Sequence, residues 1–186
     1  MDTAGSGERS PAGGGRGRSK LTSVVSPLGT QTLRSTSPDS PLRVGSVLVS
    51  AELPATGTIL FSSTVPGFRG VAGVGAAVST TRFFVPVQRD PFAGTDSGLA
   101  IANATGAAVS VTLTLRNESG ALLGTRALSL PPHGQTAAFL VQLFPTSDIV
   151  TLSLRGTITA ASSGEVAAIA LLFTGNEFAT LPVTRY

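Results

Sequence analysis

The chain has 186 residues, of which 41% are hydrophobic, 12% are charged and none is cysteine. This length suits one large β domain or one small domain with flanking segments, and the low charge favours folding over disorder for most of the chain. The lack of cysteine excludes disulfides, thiolate metal sites and a cysteine nucleophile.

The net charge of +3 is not concentrated in the part of the chain that is expected to fold. Four of the thirteen basic residues, Arg9, Arg16, Arg18 and Lys20, lie in the first twenty positions. We therefore expect no nucleic-acid partner. No run of 18 apolar residues is present, so no membrane-spanning helix is predicted, and the N-terminus has no apolar signal segment.

The composition predicts an all-β protein. Thr, Ser, Val, Gly and Ala are abundant, whereas there is one Met and one Lys, and this mixture is typical of a sheet with a Thr/Ser-coated surface. A weakly charged surface of this kind also favours an extracellular or cell-surface location.

The first 41 residues are expected to lie outside the main fold. Residues 1–20 are rich in Gly, Ser and Arg and predict a disordered tail. Residues 21–41 contain Pro27, Pro38 and Pro41, so they are expected to form a linker or, at most, edge strands.

A partial β unit is predicted over residues 42–87, and a complete module over residues 88–186. In the partial unit, the glycine-rich stretch Gly70–Gly75 lacks the Lys-Ser/Thr pair and the following helix of a phosphate-binding loop. Close packing of a strand against another backbone explains these glycines better. The strands of the partial unit are expected at Val44–Ala51, Thr58–Phe61, Val71–Val78 and Arg82–Val87.

The clearest strand pattern lies between Ser97 and Leu130. Val109, Val111, Leu113 and Leu115 alternate with polar residues, which predicts a half-buried strand. Turn signals on both sides, at residues 103–106 and 117–120, each end in a glycine that can take positive φ. The stretch therefore predicts three antiparallel strands joined by two short turns.

After this stretch, residues 131–134 predict a tight turn, and residues 135–144 predict one or two helical turns that end at Pro145. The continuous apolar run Val166–Phe173 also fits a buried helix, but its length of eight and its flanking glycines favour a strand buried on both faces. The last four strands are expected at Ile149–Leu154, Thr157–Ala161, Val166–Phe173 and Phe178–Val183.

A weak internal repeat links the two β units. The segment from Gly45 to Phe61 aligns with that from Gly156 to Phe173, and each is followed by a similar strand containing Pro-Val. The repeat suggests that residues 42–87 are the closing half of one β unit and that a complete second unit follows.

Several motifs resemble an immunoglobulin-like β-sandwich module found near the C-termini of secreted or cell-surface bacterial proteins. They are Gly98-Leu-Ala-Ile-Ala-Asn103, the strand and turn ending at Gly120, Leu130-Pro-Pro-His-Gly134, Phe139 to Phe144-Pro145, and Phe173-Thr-Gly-x-x-Phe-Ala-Thr-Leu-Pro-Val183. The resemblance covers roughly residues 80–186. It implies an antiparallel sandwich of the stalk or adhesion type, and it brings no catalytic residues.

Few residues suggest chemistry, and we expect no catalytic, cofactor or metal site. His133 is the single histidine and is expected to be an exposed turn residue. Asp90 and Asp96 bracket one loop that could offer oxygens to Ca²⁺, although a hydrogen-bonded loop is the preferred explanation. Asn103 and Asn117 fit the N-glycosylation pattern, but both coincide with turns that favour Asn for its own backbone chemistry.

The sequence therefore predicts a non-enzymatic extracellular protein of structural or adhesion type. Its partners are expected to be further copies of itself or other surface proteins. In the sharper form of this hypothesis, residues 21–36 complete an open sheet edge of a neighbouring copy and build a filament. The alternative is a glycan- or protein-binding module that uses the loops Gln88–Asp96 and Pro131–Gly134.

Overall fold

The computed structural model describes residues 20–33, 45–63 and 70–186. The chain divides into two compact units, residues 1–42 and 43–186. In the first unit, residues 20–33 are exposed and contain a turn but no strand. The predicted tail falls outside the described residues, apart from Lys20.

The second unit is built almost entirely from antiparallel strands, which confirms the predicted all-β class. Within the described residues its helices have four and five residues, and none is long and apolar enough to cross a membrane. In chain order the elements are β1 Thr58–Ser63, β2 Gly70–Gly75, β3 Thr80–Asp90, β4 Thr95–Asn103, β5 Val109–Asn117, β6 Leu122–Leu130, β7 Gln135–Phe139, α1 Leu140–Leu143, α2 Ser147–Thr151, β8 Leu154–Thr174, β9 Glu177–Leu181 and β10 Thr184–Arg185.

The 21-residue strand β8 is the centre of an eight-stranded sheet. Its first half pairs with β3 and β5, so that Gly156 lies opposite both Val87 and Asn117. Its second half pairs with β4 and β9, so that Ala170 lies opposite Leu99 and Leu181. Because the two halves have different neighbours, the sheet is curled and has two parts. β6 lies beyond β5 in the part around the first half of β8, and β7 lies beyond β4 in the part around the second half.

The core follows the period of two that the sequence predicts. Along β5, Val111, Leu113 and Leu115 are fully buried, while Ser110 and Thr112 are exposed. Each such side chain contributes about 1.5–3 kcal/mol by leaving water. The largest side chains with almost no exposed surface are Phe83, Val85, Ile101, Val111, Leu113, Leu115, Leu140, Ile158 and Val166.

The predicted three-strand meander is only half correct. β5 and β6 form a hairpin, and Gly120 has φ +81 in its turn, as expected. β4, however, pairs with β3, β7 and β8 rather than with β5. Gly106 is not among the residues with positive φ. The loop after β4 is held by the side chain of Asn103.

The region between β6 and β8 differs in part from the prediction. Residues 135–139 continue as β7, and one helical turn, α1, follows and ends before Pro145. The predicted strand Ile149–Leu154 is wrong over its first three residues, because they belong to α2. The predicted strands 157–161 and 166–173 are both present, but as parts of the single strand β8.

The N-terminal part of the second unit is less regular than predicted. The expected strand Val44–Ala51 is absent over residues 45–50, which are exposed and extend no sheet. β1 and β2 form a hairpin in which Thr58 lies opposite Gly75, close to the strands predicted there. β3 crosses the predicted boundary between residues 87 and 88 and pairs with β8, so it belongs to the eight-stranded sheet.

Candidate functional site

His133 lies in the exposed turn between β6 and β7. Its backbone has φ +50, and its N–H donates to the Thr105 carbonyl at 3.0 Å. Gly134, which follows it, accepts from the Asn103 backbone N–H at 2.8 Å. The histidine backbone therefore has a structural role, since it joins this turn to the loop that follows β4.

The two acids of the predicted loop Gln88–Asp96 have separate roles. Asp90 Oδ1 accepts hydrogen bonds from the backbone N–H groups of Phe92 and Ala93, at 3.0 and 3.1 Å, and closes the β3–β4 turn. Asp96 lies on β4 and pairs with Arg89. Within the described residues no group of three or more His, Cys, Asp or Glu side chains could hold a metal ion, so nothing there supports a calcium site.

A cluster of charged and backbone groups surrounds Arg89. Its Nη1 donates to Asp96 Oδ2 at 3.0 Å, its Nη2 donates to the Val150 carbonyl at 2.8 Å, and its Nε donates to the Ile149 carbonyl. The guanidinium therefore connects the β3–β4 hairpin to α2. Sequence reasoning missed this cluster, because its two carbonyl partners lie 60 and 61 residues from Arg89 in the chain.

Burial dominates the electrostatics of Asp96. It raises the pKa of the carboxyl above the ordinary value of 3.8, while the positive charge of Arg89 acts in the opposite direction and only partly offsets it. Oδ1 is buried and makes no hydrogen bond within the described part of the chain. The cluster has the character of a structural ion pair that is costly to bury.

Asn103 joins three parts of the fold through its buried amide. Its Nδ2 donates to the carbonyls of Ala107, Pro131 and, at 3.3 Å, Leu130, while its Oδ1 accepts from the backbone N–H and the hydroxyl of Thr105. The residue is 3% exposed. An Nδ2 atom held in this way is not available for a glycan in the folded protein, which favours the structural explanation of the first glycosylation pattern.

Asn117 has the turn role that the sequence suggests. Its Oδ1 accepts from the Ala121 backbone N–H at 2.9 Å and from the Ser119 hydroxyl at 2.8 Å. These contacts close the β5–β6 hairpin as an Asx-type turn. The residue is more exposed than Asn103, and these two hydrogen bonds lie within its own turn.

An open groove of about 400 Å³ lies between residues 74–78, at the end of β2 and after it, and residues of β8 and β9. Thr180 Oγ1 on β9 donates to the Gly73 carbonyl on β2 at 2.7 Å and holds the two sides together. The walls are mostly small and apolar, and Arg185 is the one charged residue among the lining residues that the structure describes. The groove thus lacks the convergent polar groups that orient a small-molecule ligand.

Comparison with known proteins identifies no family. No family model matches the chain, and no curated protein matches it in sequence. The chain is similar to a solved structure titled "Crystal Structure of Thermotoga maritima 1070". The match covers 57% of this chain and 91% of the other chain, with 16% sequence identity and a TM-score of 0.39.

Proposed function

We propose that this chain is a non-enzymatic structural module that associates with further copies of itself outside the cell. The observation that supports self-association is the concentration of exposed apolar side chains before β3. Val47, Leu48 and Val49 are 75%, 72% and 73% exposed, and Ile59 and Leu60 on β1 are also exposed. Exposed apolar surface on this scale, beside a complete core, is typical of an interaction surface.

The first unit also exposes apolar side chains. Leu21, Val24, Leu28 and Leu33 are all exposed. Exposed apolar side chains on a segment that forms no strand of its own suit addition to a sheet edge, where main-chain hydrogen bonds supply affinity. We propose that residues 21–36 complete the edge of a neighbouring copy and that repetition of this contact builds a filament; residues 34–36 lie outside the described part.

The extracellular location and the immunoglobulin-like sandwich belong to the same proposal. The support for the location is the low content of charged residues and the Thr/Ser-rich surface. The support for the sandwich is the curled antiparallel sheet, whose two parts share β8 and enclose one apolar core. Stalk and adhesion modules need such stable β scaffolds and no catalytic machinery.

Light scattering of the whole chain and of a variant that lacks residues 1–40 tests this proposal. The deletion leaves the second unit, residues 43–186, intact. We expect large or concentration-dependent species for the whole chain and smaller ones for the variant. A whole chain that stays monomeric at every concentration would overturn the proposal, and unchanged assembly of the variant would remove residues 21–36 from it.

A second candidate function is binding of a protein or glycan through the loop Gln88–Asp96. The observation that favours it is Phe92, which is 87% exposed at the tip of the β3–β4 turn. Aromatic side chains presented on rigid turns often anchor partners. A glycan array and capture of surface proteins, each repeated with Phe92→Ala, test this function, and signals that Phe92→Ala leaves unchanged would exclude this loop.

A further inference from the structure

The strands at the margins of the two sheets differ in how well their edges are protected from pairing with another chain. On β6, the exposed Arg126 places a charge on the outer edge of the sheet. β7 has five residues and runs directly into α1, and β10 has two residues. Short edges and charged edge residues are two ways in which proteins prevent edge-to-edge pairing.

The outer edge of β9 is also occupied. β2 lies beside it, and the hydroxyl of Thr180 donates to the carbonyl of Gly73. β2 in turn pairs with β1 along its whole length. A strand of another chain that approached this edge of β9 would therefore meet β2.

β1 lacks these protective features. Its six residues, Thr58–Ser63, include no charge and no proline, and within the described residues it pairs only with β2. Leu60 is 71% exposed. An uncharged apolar strand with one unpaired side is a template for a further strand.

The internal repeat indicates that the segment before β1 is also suited to burial. In the alignment of Gly45–Phe61 with Gly156–Phe173, Val47 corresponds to Ile158 and Val49 to Ala160. Ile158 and Ala160 lie in β8 and are 1% and 2% exposed, whereas Val47 and Val49 are among the most exposed apolar residues of the second unit. The segment keeps apolar side chains at core positions of the repeat, but the described residues do not bury them.

We infer that the free edge of β1 binds the β1 strand of a second copy of this chain. This inference rests on the proposed self-association and names its contact. The two β1 strands run antiparallel about a two-fold axis at Leu60, so that Leu60 lies opposite the partner's Leu60. The two hairpins then form one four-stranded sheet in the order β2-β1-β1-β2, and the exposed segment that contains Val47 and Val49 adjoins it.

The charge pattern permits this pairing. Between residues 45 and 63 the only charged residue is Glu52, which lies outside β1. Antiparallel pairing of identical strands is self-complementary, as a two-fold contact requires. Such a contact closes on itself and produces a dimer, so a filament needs a second contact of a different kind.

Cysteine cross-linking tests the register directly, because the natural chain has no cysteine. Residues directly opposite in an antiparallel pair have Cα atoms about 4.5–5.5 Å apart, within the range of about 4.4–6.8 Å that a disulfide spans. We expect Leu60→Cys in the full chain to form a covalent dimer under mild oxidation. Leu122→Cys, at an exposed position on the protected strand β6, is the matched control and is expected to stay monomeric.

A charge at the axis tests the contact without a covalent bond. Leu60→Lys places two like charges opposite each other, so we expect the dimer dissociation constant from sedimentation to rise about tenfold or more. Leu122→Lys adds the same charge elsewhere and is expected to leave the constant unchanged. Circular dichroism of both variants shows whether the fold is retained.

The outcomes separate this inference from the proposed function. A wild-type chain that stays monomeric at all concentrations overturns both. A chain that associates, with Leu60→Cys no more cross-linked than Leu122→Cys and Leu60→Lys without effect, overturns the β1 contact and leaves self-association through another surface. Selective cross-linking at Leu60 together with weaker association of Leu60→Lys supports the contact.

Discussion

Arg89 and Asp96 form an ion pair that links the first hairpin of the sheet to the helix α2. The Nη1–Oδ2 distance is 3.0 Å, and the two side chains are 13% and 15% exposed. The same guanidinium also donates to the carbonyls of Ile149 and Val150. One side chain thus donates to one oxygen of an acid and to two backbone carbonyls of α2.

Replacement of Arg89 by Met should destabilise the protein strongly. The variant keeps an apolar stem but leaves the Asp96 carboxylate and two carbonyls without their donor, and breaking a buried pair costs about 3–5 kcal/mol. Urea unfolding measures the loss in the free energy of unfolding. Arg126→Met, at an exposed position on β6, is the control and is expected to change it by less than about 0.5 kcal/mol. Equal effects of the two variants would contradict the role assigned to Arg89.

The pH dependence of stability should reveal the burial of Asp96. Since burial raises its pKa in the folded state above 3.8, the folded protein holds this proton more tightly than the unfolded chain does. The stabilising contribution of the protonated carboxyl is therefore complete below 3.8 and is lost as the pH rises through the folded-state pKa.

Asp96→Asn is the matched variant for this measurement, because its side chain does not titrate. We expect the free energy of unfolding of the wild type, relative to that of Asp96→Asn, to fall as the pH rises from below 3.8 through the raised folded-state pKa of Asp96. A relative stability that rises over this interval would show that the attraction of Arg89 outweighs burial, opposite to the expected sign.

The residues that sequence reasoning located best are those whose role is local. The alternation along β5 and the turn at Gly120 depend on neighbouring residues, and both were predictable. The Arg89 cluster and the contacts of Asn103 join segments far apart in the chain, so no local pattern signals them. Asn103 was recognisable as a turn residue, but its donation to the Pro131 carbonyl, 28 residues away, was not.

Asn103→Ala should cost more stability than Asn117→Ala. The first change removes a buried amide that donates to the carbonyl of the buried Leu130 and accepts from the Thr105 backbone N–H, and an unsatisfied buried group costs about 1–3 kcal/mol. The second removes an acceptor from one exposed turn, for about 1 kcal/mol. Thermal unfolding of both variants checks the order, and a larger loss for Asn117→Ala would contradict the role of Asn103 as the link between the two loops.

The continuity of β8 was not predictable, for a physical reason. Residues Ser162–Glu165 have the composition of a turn, and local preference favours a break there. In the structure this is where β8 changes partners, since Ser162 lies opposite Val111 on β5 and Val166 lies opposite Asn103 on β4. Pairing on both flanks keeps the backbone extended, so tertiary contacts override local preference.

Gly156 marks the closest approach of β8 to β5 and should not tolerate a side chain. A Cβ atom at this position would lie 2.0 Å from the Arg116 carbonyl oxygen and 3.2 Å from the Cα of Asn117, both of which are backbone atoms. Gly156→Ala therefore forces the two strands apart, at a cost of about 3 kcal/mol or more.

Gly57→Ala is the matched control for this last prediction, because a Cβ there would meet nothing within 4 Å. We expect Gly57→Ala to leave the urea midpoint nearly unchanged and Gly156→Ala to lower it markedly, together with faster hydrogen exchange of the β5 and β8 amides that pair beside it. The exchange result distinguishes local separation of these strands from a general loss of stability. Equal midpoints for the two variants would mean that β5 and β8 are not packed as closely as the 2.0 Å approach at Gly156 requires.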